Sequence, residues 1–268
     1  MLTQVTLYQD LKQKVTYFVE KLSLNQYVNK IGRKLALSLV EILTLALFKQ
    51  LAQITTKQKL WELAEPACSY KTLVVSVNHF FTLALLILTL LLRFNQQTPH
   101  HLVKHIDSTD LPVGSNRKAK YHQVMRQLAA WGKTGKGWFY GLKLHLIADL
   151  NGRLLSMKFT SGNIDDREVV INLAGDLSGI FIADAGYLSQ DLAKNFYREN
   201  SRILLAKPRA NMKKLATMLD VWLYSTRMRI ELNFRNLKCF WGLVTSLPRS
   251  VAGYLANYTY SLLAYCLG

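Results

Sequence analysis

The stretch "WFYGLKLHLIADLNGRLLSMKFTS", residues 138–161, alternates apolar and polar side chains on both sides of Asn151-Gly152. Alternation at period two marks a half-buried strand, and Asn-Gly between two such runs is a strong hairpin signal. Upstream, "LVKHIDSTDL" (102–111) predicts a strand ending in acids. Downstream, "DDREVVINLAGDL" (165–177) predicts a helix with acids in its first turn, where the helix dipole favours them. "GIFIADAGY" (179–187) is a short, apolar, buried strand, "SQDLAKNFYREN" (189–200) an amphipathic helix and "SRILLAKPR" (201–209) another strand. An irregular basic link leads to a last long helix in "YSTRMRIELNFRNLK" (224–238). Three strands, helix, strand, helix, strand, helix is the order of an α/β fold, a mixed sheet flanked by helices.

The first hundred residues have a different texture. No proline precedes Pro66, and apolar positions recur at helical spacing. Ser38 with Glu41, and Thr55 with Gln58, read as capping boxes opening helices at about 39–52 and 56–64. These two helices could present Lys57 and Lys59 to DNA as a helix-turn-helix pair, and ordinary bundle packing explains them equally well. Residues 72–92, "TLVVSVNHFFTLALLILTLLL", form 21 uncharged positions, about the length of a membrane span. Ser76, Asn78, His79, Thr82 and Thr89 interrupt the run, so a buried bundle helix is expected and no membrane partner. The polar "FNQQTPHH" near residue 100 places the boundary between a helical domain, 1–100, and an α/β domain, 101–268.

Charge points to the partner. With 34 Lys and Arg against 17 Asp and Glu the chain carries +17, which attracts phosphate polymers through a salt-sensitive, sequence-independent term. Cys68, Cys239 and Cys266 share no metal-ligand spacing and are read as reduced thiols. "MLTQVTLYQDLKQK" has no signal-peptide pattern, so a cytoplasmic location is expected. Residues 112–137 are basic and end in "GKTGKG", but Gln127 stands where a nucleotide-binding loop needs glycine. A mobile loop on DNA is the better reading. Trp131 and Trp138 flank it and could stack on unpaired bases or pack at a sheet edge.

On a helix over 224–238, Tyr224, Arg227, Glu231, Arg235 and Lys238 share one face, while Ile230, Phe234 and Leu237 line its neighbour. Glu231 could be no more than an i,i±4 partner of Arg227 and Arg235. Two further acids argue otherwise. Asp107 lies within the half-buried first strand and Asp184 closes the apolar "GIFIAD", and buried acids are costly unless paired or metal-bound. Three carboxylates from two strands and a helix suit a hard divalent ion, and two Mg²⁺ or Mn²⁺ ions would activate a water or a 3′-hydroxyl for phosphodiester cleavage. Lys143 and His145 share a strand face and could reach this site or line the sheet; Asp165 and Asp166 read as a helix cap and first-turn acid, Asp110 and Asp149 as turn acids.

The order Asp107, Asp184, Glu231, with "ADAGY" and the spacing Tyr224-x2-Arg227-x3-Glu231-x6-Lys238, resembles the DDE transposases of bacterial insertion sequences, in the branch with the Tyr-Arg-Glu-Lys signature. The segment from Trp138 to Asp166 is similar as well, and the likeness runs from about residue 100 to the C-terminus. The resemblance implies an RNase H-like domain, preceded by an all-α DNA-binding domain, that cuts and joins DNA with Mg²⁺ or Mn²⁺ held by Asp107, Asp184 and Glu231. Tyr224, Arg227 and Lys238 would grip double-stranded DNA, at terminal inverted repeats and target; on the residue reading alone Arg235 joins them from the same helix face, and Lys143 and His145 are further candidates for contact. Where many relatives have lysine after the second acid, this chain has Ala185, and that phosphate contact is either missing or supplied by Lys207 or Arg209. A homodimer on DNA, associated with the bacterial nucleoid, follows from the need to hold two ends together. A nuclease without strand transfer, a catalytically silent DNA-binding descendant and a membrane-attached protein are the alternatives.

Overall fold

Cap signals and apolar spacing set the first elements. The computed structural model describes residues 4–28, 34–97, 102–208, 217–244 and 248–268. Among them α1 (Gln4–Lys21), α2 (Leu39–Leu51), α3 (Lys57–Ala64), α4 (Tyr70–His79) and α5 (Phe81–Gln97) precede any strand. Ser38 heads α2 through a capping box: its hydroxyl accepts from the Glu41 N–H at 3.2 Å, and the Glu41 carboxylate accepts from the Ser38 N–H at 2.8 Å. At α3 the cap is Thr56 rather than the expected Thr55, accepting from the Lys59 N–H at 3.0 Å, and Gln58 bonds Glu62 instead. The run 72–92 is not one helix. It breaks at Phe80, beside the polar Asn78 and His79, and α4 and α5 meet at a 41° bend. Among the described residues no single helix is long and apolar enough to cross a membrane, although this bent pair passes by length and composition.

Six strands then form one sheet: β1 (Val103–Pro112), β2 (Ala130–Thr134), β3 (Gly137–Asp149), β4 (Leu154–Ser161), β5 (Ile180–Ala183) and β6 (Ile203–Ala206). The long β3 pairs antiparallel with β1, β2 and β4; β5 and β6 extend the sheet in parallel from β1. Between the strands come α6 (Asp166–Ala174) and α7 (Gln190–Asn200), the crossover helices that parallel neighbours require. The Asn151-Gly152 turn joins β3 to β4, with Gly152 at φ 83° and Asp149 accepting from the N–H groups of Asn151 and Arg153, the turn role expected of it. Asp110, by contrast, lies within β1 and opposite Lys143 rather than in a turn. The Gly-rich "GKTGKG" is not a loose loop either. It closes a hairpin between β2 and β3, running from Thr134 to Gly137.

Side-chain alternation gives the sheet two faces. Ile106 and Ile147 point to one, where Val169, Val170 and Leu173 of α6 and Phe196 of α7 complete a core around Phe181. Val103 and Ile182 point to the other, covered by Leu223 and Tyr224 of α8 (Met218–Thr226). The segment 224–238 is not one helix. A break at Arg227 separates α8 from α9 (Met228–Cys239), which is followed by α10 (Val251–Leu267).

The backbone groups into two compact units: residues Leu92–Arg235, which hold the sheet, and Met1–Leu91 together with Asn236–Gly268. A single cut near residue 100 does not reproduce this grouping. The reason is α10, apolar nearly all round and buried at Gly253, Tyr254 and every position from Ala256 to Ala264, which packs in the first unit against α2 and α4. Tyr260 donates to the Val77 carbonyl at 3.2 Å, and Asn257 accepts from Gln50 at 3.1 Å.

Candidate active site

Two parallel strands bring the first two acids together. β1 and β5 pair with His105 beside Ile182, so two residues further on Asp107, still within β1, and Asp184, just past the end of β5, come side by side. Above them α8 is fastened at two points. The Tyr224 hydroxyl donates to the Ala206 carbonyl at the end of β6 at 3.1 Å, and the Thr226 hydroxyl meets His105 Nε2 at 2.9 Å. These ties set Arg227 over the acids. Its Nη1 donates to Asp107 Oδ2 at 2.9 Å, its Nη2 lies 3.9 Å from Asp184 Oδ1, and the same Nη2 donates to Glu231 Oε1 one turn along α9. Three carboxylates therefore share one guanidinium.

Their surroundings are unequal. The Asp107 and Arg227 side chains are 18% exposed, while those of Asp184 and Glu231 are about half exposed. Burial pushes the Asp107 carboxyl up to about 6, against the pull of Arg227 and of the Ser108 N–H, and Asp184 and Asp166 push in the same direction as burial. The donor set, carboxylate oxygen throughout, has the chemistry a hard divalent ion selects. Its spacing is that of a salt-bridge cluster: among the described residues no three His, Cys, Asp or Glu side chains stand close enough to hold a metal.

The remaining residues divide by face. Asp107 and His105 look towards α8, whereas Lys143 and His145 belong to the opposite face, because His145 pairs across the sheet with Ser108 and not with Asp107. The structure does not bring these two to the acids. Lys143 is buried and donates to Asp166 Oδ1 at 2.9 Å and to the Ile164 carbonyl at 2.8 Å; His145 meets Thr160 Oγ1 at 2.8 Å. Burial also pushes the His145 imidazole below its ordinary value, which favours its neutral form. Asp165 caps α6 as expected, accepting from the Arg167 N–H at 2.9 Å. Asp166 does more than its first-turn position announces, since it also accepts from the Ser108 hydroxyl at 2.8 Å and so ties α6 to the residue next to Asp107.

The cations expected on DNA are placed variously. Arg235 is exposed on α9 and Lys207 is exposed just past β6, where its N–H donates to the Ala183 carbonyl. Lys238 is half-buried near the end of α9 and belongs to the first unit, and Arg209 lies outside the described residues. Tyr224 spends its hydroxyl on the backbone of β6. Trp131 and Trp138 are both exposed on the β2–β3 hairpin, Trp131 against Tyr140 and Trp138 beneath Lys133.

Comparison with known proteins adds a family and a fold. Residues 97–250 match the family described as "Transposase DDE domain". The fold resembles piggyBac transposase in a cryo-EM synaptic complex with hairpin DNA, with a TM-score of 0.57 at 10% identity, over 100% of this chain and 75% of that one. No curated protein matches the sequence significantly.

Proposed function

The chain belongs to the transposase DDE-domain family, and we propose on that premise that Asp107, Asp184 and Glu231 are the acids with which it cuts DNA and joins the cut ends to a target. The observation that carries the reading is the convergence of these three carboxylates, from two adjacent strands and a helix, on one cation. The sheet supports an RNase H-like domain: antiparallel β4, β3 and β1, then parallel β5 and β6 each reached through a helix.

In this reading the three carboxylates, once released by Arg227, would hold Mg²⁺ or Mn²⁺, with two ions on the DNA-bound protein. A divalent ion there supplies a more acidic water or 3′-hydroxyl and charge neutralisation on the leaving oxygen. The protein's own residues do the rest. Arg227 holds the acids in register until it gives them up and turns to phosphate. Arg235, Lys207, Lys238 and Arg209 hold double-stranded DNA, as inverted repeats or as target, while Tyr224 fixes α8 so that Arg227 and Glu231 stay over Asp107. Asp166, Lys143 and His145 position β1 from behind. The protein acts as a homodimer, since two ends must be held together, in the bacterial cytoplasm on the nucleoid.

A second reading, a descendant that binds DNA but no longer cuts, is favoured by one observation: Arg227 already hydrogen-bonds Asp107 and Glu231 and stands 3.9 Å from Asp184. One experiment decides between them. Labelled DNA carrying the ends that flank this gene is incubated with Mg²⁺ or Mn²⁺ and either the wild type or Glu231→Gln, which keeps shape and removes charge. Cleavage and joining by the wild type alone, with DNA binding retained by the variant, is the expected result. Cleavage without a joined product would leave a nuclease, and binding without cleavage by either protein would leave the silent reading.

A further inference from the structure

The first unit contains a cleft that the cutting chemistry does not use. It has a volume of about 560 Å³ and is bordered by Lys49, Thr56, Lys57, Tyr70, Arg249 and Ser250 among others, with no Asp or Glu among its lining residues. Lys49 is only 4% exposed. Its hydrogen bond among the described residues is a long one, 3.5 Å, to the neutral Gln50 side chain. Lys57 donates to another neutral group, Asn78 Oδ1. No ion pair joins Lys49, Lys57 or Arg249 to an acid among the described residues, although a buried ammonium without an anion is among the costlier things a fold can hold.

Helix ends add to the positive field. Thr56 and Ser250 are the N-caps of α3 and α10, and Tyr70 is the first residue of α4, so three helices begin at this one cleft. Each N-terminus carries about half a positive charge and N–H groups without an intrahelical acceptor. Gly253 keeps the first turn of α10 closed on this wall: a Cβ there would press on Pro248 and on the Ser250 hydroxyl, which caps its N–H at 3.1 Å. A buried ammonium, a half-buried one, a guanidinium and three helix starts thus border a space large enough for a phosphate and open to solvent.

We propose that this cleft binds a phosphate group, held by Lys49 and Lys57 from below and by Arg249 and the first turns of α3 and α10 from the sides. A backbone phosphate of DNA is the source that fits the proposed function, and that part of the inference rests on the transposase reading; the phosphate chemistry does not. Burial pushes both lysines down to about 8, and at Lys57 the charge of Lys49 adds to the effect.

The test compares full-length wild type, Lys49→Met/Lys57→Met and Arg249→Gln. Binding of a fluorescent duplex is followed by anisotropy through a salt series, and melting is followed with and without inorganic phosphate, against chloride at equal ionic strength. For a backbone phosphate, the double variant should lose about one unit of the log–log salt slope, the share of one neutralised phosphate, and Arg249→Gln should move the same way by less. An unchanged slope, with phosphate raising the melting midpoint of the wild type but not of the double variant, would assign the cleft to a free phosphate. If neither slope nor phosphate response distinguishes the variants, the inference is overturned. Removing two mutually repelling cations, one buried and one half-buried, should leave the free double variant at least as stable as the wild type. Were it unfolded instead, Arg249→Gln, at an exposed side chain, would decide by the same two readouts. Cutting and joining by the wild type is measured alongside, so that a missing phosphate site and a missing transposase activity are told apart.

Discussion

Arg227 neutralises Asp107 at close range and reaches Asp184 and Glu231 with its other nitrogen, so one residue carries most of the electrostatic balance of the site. Asp107 nonetheless remains a carboxyl that burial pushes up to about 6. An acid whose folded value lies above its unfolded value, near 4, contributes stability that is fully present below that lower value. The contribution is lost as pH rises through 6. Asp107→Asn, uncharged at every pH, should therefore melt above the wild type at pH 8 in metal-free buffer and close to it at pH 4. The ceiling on the difference is about 3 kcal/mol, from roughly two units at 1.36 kcal/mol each. Melting curves at the two pH values check this, and a gap of the same size at both would show that burial of the charge is not its cause. The metal role proposed for Glu231 rests only on its company: on its own helix it is an i,i+4 partner of Arg227, and the structure keeps that pair. Asp166 was harder to read, because a first-turn acid looks the same whether or not Lys143 and Ser108 reach it from strands more than twenty residues away.

At the scale of elements, the β3–β4 hairpin, β1, β5 and the crossover helices were readable because alternation and Asn151-Gly152 are local signals. β2 was not, since "AWGKT" sits among lysines and glycines and gains its pairing only from β3. Period two also says that Lys143 and His145 share a face without saying which one, and the register with Ser108 and Asp110 decides it. The break between α8 and α9 left no mark in composition; the ties of Tyr224 and Thr226 to the sheet show where it is fixed. Where β1, β2, β3 and the turn after β4 meet, backbones approach so closely that side chains are excluded. A Cβ on Gly132 would land on the Gly162 carbonyl, and one on Gly141 on the Leu111 carbonyl. Both obstacles are backbone and cannot turn aside. Gly141→Ala should cost about 1–3 kcal/mol, as overpacking commonly does. Chemical denaturation measures it, and an unchanged midpoint would show that the strands part at little cost.

Over the whole molecule the two units do not follow chain order, since residues 236–268 belong with 1–91. A helical texture ending near residue 100 was visible in the sequence, but the destination of α10 was not: an apolar helix carries no address. A fragment 1–100 should accordingly keep helical circular dichroism and lose its cooperative melting transition, because α2 and α4 lack the helix that covers them, and linking residues 236–268 to it should restore the transition. A sharp transition in the fragment alone would mean that α10 is dispensable. The close-packed glycines carry the argument from the protein to its gene. Glycine codons fix their first two bases, so almost every substitution there puts a side chain into the path of another strand at Gly132, Gly141 or Gly162. A copy of this gene can thus decay to silence while still spelling Asp107, Asp184 and Glu231, and a genome survey that scores copies by their acids alone would count it among the living.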